Sequence, residues 1–197
     1  MPVLYYIRHG ETDWNAAGRF QGNQDIHLNA RGRGQASAAG AILRDLMVRD
    51  RHIPAHFSYV SSPLTRARVT MDLVRTQLDL PTRGYQLDDR LREIAYGEWE
   101  GLTLPQMKAR DPVRFNERDT DKWGVAPPAG ESYAQLAARV SDWHRGLESD
   151  TVAVAHGGTM RALMVVTGVM DWLQAADTPV AQGVVYAFAD GKMTKYA

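Results

Sequence analysis

The 197-residue chain contains no cysteine. That excludes disulfides, thiolate metal sites and cysteine nucleophiles, and it accords with a reducing cytosol. Net charge is absent too: 23 Lys and Arg balance 23 Asp and Glu. Nothing global therefore draws the chain to nucleic acid or an anionic membrane, and any anion must be recognised by cations gathered locally. The apolar segment from Ala162 to Met170 is too short to cross a bilayer and is interrupted by Thr167 and Gly168. Met1 and Pro2 lead straight into an apolar run, without the charged and apolar regions of a secretory signal, so a cytoplasmic location is expected. There is no repeat and no low-complexity tract. The length suits one domain, expected to span residues 1–197.

What is present is a pair of matching segments. Val3 to Ile7 is a short apolar run of the kind that forms a buried strand, and Arg8-His9-Gly10-Glu11-Thr12-Asp13-Trp14-Asn15 follows it. Thr151 to Ala155 is a second such run, followed by His156-Gly157-Gly158-Thr159 and a helical stretch from Met160 to Val166. Ligand sites of open α/β sheets form outside the carboxyl ends of the strands. If the two strands are neighbours, both imidazoles converge on one point, beside the Arg8 cation.

The remaining pattern alternates helices and strands. Asn29 is placed to cap a helix running to about Leu46, with Ala36, Ala39, Leu43 and Leu46 on one face. Gly32, Gly34, Ala38 and Gly40 suggest that this helix packs closely on a sheet. Phe57 to Ser61 reads as a strand, and Ser62-Pro63 as the opening of a helix with Pro in its first turn. Tyr85 to Leu87 reads as a short edge strand, Glu131 to Leu147 as a long helix, and Gly183 to Ala189 as a strand that turns at Asp190-Gly191 into a hairpin. Residues 97–128 mix aromatic, charged and Pro residues, with Asp111-Pro112 opening a helix, and read as an excursion of short helices over the sheet edge. The expected architecture is a three-layer α/β/α sandwich with a largely parallel central sheet.

Several further residues suit chemistry on an anion. Arg66 lies one turn into the helix that follows a strand, where its planar fork can clamp a phosphoryl group. Glu93 sits in an apolar, turn-rich stretch, and a carboxyl partly removed from water holds a proton more readily. An ion pair with Arg90 or Arg92 is its ordinary alternative. Asn15 and Gln21 flank a loop ending in Gly22 and offer neutral donors, or plain loop caps. A metal site of Glu11, Asp13 and His156 is disfavoured by the fixed charge of Arg8. Arg110, Arg114 and Arg118 recur every fourth residue, the pattern of a solvated helix face.

Taken together, these residues resemble the histidine phosphatase superfamily, also called the phosphoglycerate mutase-like family. The motifs carrying the resemblance are Arg8-His9-Gly10-Glu11-Thr12 with Asn15, Phe20-Gln21-Gly22, Leu28-Asn29-Ala30-Arg31-Gly32, Ser61 to Ala67, Glu93 with Tyr96 to Gly101, Gly130-Glu131-Ser132 and His156-Gly157-Gly158. They run in order along nearly the whole chain. The resemblance implies that His9 attacks phosphorus and forms a phosphohistidine. Arg8, Arg66, Asn15 and His156, with the backbone at Gly157, would bind the phosphoryl oxygens. Gln21 and Gly22 would line the site. Glu93 would protonate the leaving oxygen and then activate water. For attack His9 must be neutral, which nearby Arg8 and Arg66 favour, and its second ring nitrogen should donate to a backbone carbonyl. Neither metal nor cofactor is expected. The expected partner is a small phosphorylated substrate or inorganic phosphate, and the chain could pair as a homodimer.

Within the family, mutases that depend on a phosphorylated cofactor carry an adjacent Arg pair shortly after a Trp and before a Pro run. They also carry Asn two residues after the second catalytic His. Here Trp123 is followed by Gly124-Val125-Ala126-Pro127-Pro128, and Gly158 stands in place of the Asn. Phosphomonoester hydrolysis is therefore expected, with mutase-type transfer or non-catalytic phosphate binding as alternatives. Specificity is expected to reside in Tyr96, Trp99, Trp123 and one of Arg110 or Arg114.

Overall fold

Alternation along two neighbouring strands sets the layers of the fold. In the computed structural model, which describes residues 2–197, β1 (Leu4–Arg8) pairs in parallel with β4 (Thr151–Ala155), and Arg8 stands opposite Ala155. Leu4, Tyr6, Ala153 and Ala155 face one side of the sheet, while Tyr5, Ile7, Val152 and Val154 face the other. Both faces are apolar because both are covered by helices, as parallel strands require.

After β1 the chain makes a single turn, α1 (Asp13–Ala16), capped by Thr12, and then α2 (Ala30–Arg49), capped by the Asn29 side chain accepting from Gly32 N–H at 2.8 Å. β2 (Ser58–Ser61), α3 (Thr65–Gln77) and the two-residue β3 (Gln86–Leu87) follow. The excursion forms α4 (Leu104–Arg110) and α5 (Pro112–Thr120), the latter capped by Asp111. Then come α6 (Tyr133–Arg145), β4, α7 (Gly157–Val166), α8 (Trp172–Asp177) and the hairpin β5 (Val185–Ala189) and β6 (Lys192–Tyr196). The sheet order is β3-β2-β4-β1-β5-β6, with the first four strands parallel, β5 antiparallel to β1, and β6 antiparallel to β5. Leu136, Val140, Trp143 and Leu163 of α6 and α7 cover one face, and Leu43, Met47, Met71 and Val74 of α2 and α3 cover the other. The three-layer α/β/α sandwich expected from the sequence is the observed architecture.

Some local expectations fail for identifiable reasons. Pro63 is not in the first turn of α3, which begins at Thr65 with Leu64 extended before it. The small residues of α2 do not serve contact with the sheet. Gly34 and Ala38 are exposed, and Gly40 lies against Val74 and Gln77 of α3. Gly32 instead meets the backbone of Glu11, and Gly10 meets the backbone of Gly32, so a Cβ at either position would collide with main chain. This crossing clamps the loop after β1 onto the start of α2, directly beside His9. Among the described residues no helix is long and apolar enough to cross a membrane.

Candidate active site

Three adjacent strands deliver their next residues to one place. His9 N–H continues the β1 ladder by donating to Ala155 at 2.9 Å, and Ser62 N–H donates to Val154 at 2.9 Å. His156 caps α7 immediately after β4. The two imidazoles stand edge to face, with ring centroids 5.1 Å apart. His9 Nδ1 lies 2.7 Å from the Gly10 carbonyl oxygen, in position to donate to it, which leaves Nε2 as the free nitrogen. His156 Nε2 is 2.7 Å from Ser62 Oγ, while its Nδ1 is buried without a partner. Burial, reinforced by Arg66 and Arg8, holds the His9 pKa well below 6.5. Burial and the charge of Arg66 do the same for His156.

Tyr6 fixes His156 from below. Its hydroxyl donates to the His156 carbonyl at 2.7 Å and accepts from His156 N–H at 3.0 Å. Thr159 Oγ1 also accepts from His156 N–H, at 2.9 Å. Burial pushes the Tyr6 phenol far above its usual range, so this donor stays protonated.

Arg66 has no solvent exposure at all. Its Nη1 donates to Gln24 O at 2.6 Å and its Nη2 to Gly22 O at 2.8 Å, leaving Nε unpartnered. Burial draws its pKa down to about 10, which still leaves it charged at neutral pH. Gly22 has φ +51, and a Cβ there would overlap the Glu100 carboxylate that holds Asn23 N–H at 2.9 Å. Arg8 donates from Nη1 to Val180 O at 2.6 Å, and its Nε is likewise buried and unpartnered.

Glu93 is not in the ion pair that its neighbours suggested. Arg90 pairs with Asp88 at 2.6 Å and Arg92 with Asp89 at 2.7 Å. The Glu93 carboxylate instead accepts from Gly158 N–H, at the start of α7, at 3.0 Å and from Ile94 N–H at 2.9 Å. Its backbone is held from behind by Arg139, which donates to the carbonyls of Arg90, Arg92 and Glu93 and pairs with Glu131 at 2.8 Å.

Arg8, His9, Arg66, Glu93, Asn15, Gln21, Gly22 and Gly157 all line one cavity of about 220 Å³, with His156 buried behind it. Asn15 Oδ1 accepts from Thr12 N–H at 3.2 Å and Gln182 Nε2 at 3.2 Å, so its amide is anchored by its oxygen. Among the described residues no cluster of three or more His, Asp or Glu side chains is arranged to hold a metal ion.

A second cavity of about 240 Å³ adjoins the first and shares Phe20, Tyr96 and Arg161 with it. Its walls include Tyr96 and Trp99, but neither Trp123, Arg110 nor Arg114. Trp123 stacks on Tyr133 at 6.2 Å, Arg110 pairs with Glu98 and Arg114 with Glu117. Arg118 is not on a solvated face. It is 7 % exposed and donates to Val125 O at 2.6 Å. Sequence reasoning also missed Arg139 and Arg161. The spacing held a signal for Arg161, which lies four residues after Gly157 and so on the same face of α7.

The family model of the histidine phosphatase superfamily (branch 1) matches residues 4–188. A glucosyl-3-phosphoglycerate phosphatase of Mycolicibacterium vanbaalenii is 33% identical over 217 residues, covering 95% of this chain and 89% of that protein. A 2,3-bisphosphoglycerate-dependent phosphoglycerate mutase of Gloeobacter violaceus is 30% identical over 178 residues, covering 84% of this chain and 75% of the other. The crystal structure of the α-ribazole phosphatase from Shigella flexneri superposes with a TM-score of 0.81 at 25% identity, over 98% of this chain and 93% of that one. Strand-end histidines, buried arginines and near-complete matches coincide in one chain, which belongs to the histidine phosphatase superfamily.

Proposed function

We propose that the protein hydrolyses phosphomonoesters of small metabolites through a phosphohistidine on His9. The observation carrying this reading is the trio Arg8 Nε, Arg66 Nε and His156 Nδ1, all buried and without partners around a neutral His9. Buried polar groups are almost always satisfied, so two arginine donors in the cavity wall, with His156 Nδ1 buried behind it, fit the oxygens of a phosphoryl group. With Nε2 of the neutral His156 ring accepting a hydrogen bond from the Ser62 hydroxyl, the ring proton sits on Nδ1, which becomes a donor.

In the first step His9 Nε2 attacks phosphorus and the bond to the ester oxygen breaks. Glu93, as the acid, gives its proton to that oxygen and the alcohol leaves. In the second step water attacks phosphorus, passes a proton to the Glu93 carboxylate, and the P–N bond breaks to release phosphate and neutral His9. Arg8, Arg66, His156, Asn15 and the Gly157 N–H hold the equatorial oxygens, where transition-state charge accumulates. Gln21 and Gly22 complete the wall. The whole chain then serves as one catalytic domain in the cytoplasm, without nucleic acid or membrane partners, as a monomer or homodimer. Hydrolysis is favoured over mutase-type transfer by the segment after Trp123, which offers no arginine pair, and by Gly158 packed on Glu93. Steady phosphate release from p-nitrophenyl phosphate and 3-phosphoglycerate is expected. Rapid interconversion of 2- and 3-phosphoglycerate with negligible hydrolysis would overturn this choice.

A further inference from the structure

We infer that the aromatic cavity beside the phosphoryl site holds a second anionic group, a carboxylate or phosphate, on the alcohol portion of the substrate, between Arg161 and Arg118. This rests on the phosphatase reading and specifies its substrate class. The phosphoryl cavity and the aromatic cavity meet at Arg161, so a bound ester must extend from one to the other past this guanidinium. Arg161 donates from Nε to Thr178 O at 2.9 Å and from Nη1 to Tyr133 Oη at 3.3 Å. Arg118 donates to the carbonyls of Lys122 and Val125, and its guanidinium carbon lies 5.7 Å from the centre of the Tyr96 ring and 5.9 Å from that of Tyr133. Tyr133 therefore touches both cations.

Every one of these partners is neutral. Neither arginine forms an ion pair among the described residues, although Arg118 is 7 % exposed and Arg161 is largely buried. A buried charge ordinarily has a counter-charge. The other cation in this wall, Lys122, already has one, in Asp177. The two carboxylates in the wall, Asp119 and Asp177, both face Lys122, so the buried Arg118 and the partly buried Arg161 leave their counter-ion to the ligand. The phosphoryl group cannot fill this role at Arg118, which lines only the aromatic cavity. The aromatic walls admit an apolar or ring-shaped body between the two anions.

The test compares three aryl esters: 4-carboxyphenyl phosphate, its uncharged isostere 4-carbamoylphenyl phosphate, and 1,4-phenylene bisphosphate. The wild-type protein is expected to favour a charged ester over the carbamoyl ester by about tenfold or more in kcat/KM, the scale by which a charge-assisted hydrogen bond exceeds a neutral one. Whichever of the carboxylate and bisphosphate is preferred identifies the anion. Arg118→Gln and Arg161→Gln should each shrink that ratio, and Arg118→Lys, which keeps the charge, should retain most of it. The ratio within each variant is read, so a general loss of activity does not imitate the effect. A wild-type ratio near one, or a ratio that survives both Gln substitutions, overturns the inference while leaving the phosphatase reading intact. Failure of all three esters to turn over overturns both.

Discussion

Glu93 and Gly158 occupy each other's space. Glu93 Oε1 accepts from Gly158 N–H at 3.0 Å, and a Cβ on residue 158 would overlap that oxygen and approach Ile94 Cγ2 to 2.9 Å. The proposed acid is thus seated directly on the α7 backbone, where any side chain on residue 158 would have to move its carboxylate.

Gly158→Ala should displace the Glu93 carboxylate. A misplaced acid matters most when the leaving group is a poor one, because a good one departs without a proton. Turnover of alkyl phosphates is expected to fall by about 10²-fold or more, with a much smaller loss for p-nitrophenyl phosphate. Equal losses for both would show that Glu93 does not protonate the leaving oxygen.

Arg66→Lys should behave as a severe change despite conserving charge. A single ammonium cannot reach Gln24 O and Gly22 O while also offering a third donor to the cavity. Leaving the buried Gly22 carbonyl without a partner costs about 1–3 kcal/mol. Both lower thermal stability and a large loss of kcat/KM are expected, measured by calorimetry and steady-state kinetics. A variant with native stability and native kcat/KM would remove Arg66 from the site.

The strand ends carrying His9 and His156 were legible because apolar runs followed by His-Gly leave little choice of place. The fold followed from the same alternation of strands and helices. Arg118 was misread because its four-residue spacing with Arg110 and Arg114 is also that of a solvated face. Pro112 breaks the stripe, and α5 turns residue 118 inward beneath Tyr96 and Tyr133. Arg139 escaped notice because its partners are backbone carbonyls about 46–49 residues away in sequence, a contact that no local spacing announces. Trp123 was assigned to the substrate wall on its aromatic character, but its ring is used in stacking on Tyr133.

Acid should destabilise the fold through the same two histidines that the proposed chemistry needs neutral. Burial is the first cause holding both below their ordinary value of 6.5. As pH falls through that value the unfolded chain gains protons that the folded protein does not. Stability therefore falls as pH drops below about 6.5, by about 1.4 kcal/mol per histidine per pH unit, and levels off above it. Denaturant unfolding between pH 5 and 8 checks this slope, which should flatten in His156→Gln. Stability that is constant or increases on acidification across this range would contradict a neutral buried pair.

The central claim is that His9 carries the phosphoryl group, and rapid-quench labelling reads it most directly. Brief exposure to a radiolabelled phosphomonoester should leave an acid-labile, base-stable phosphate that mass spectrometry locates on His9. It should appear before steady phosphate release and vanish in His9→Asn together with turnover. Hydrolysis that proceeds with no label on His9, or that survives the His9→Asn substitution, would contradict the account.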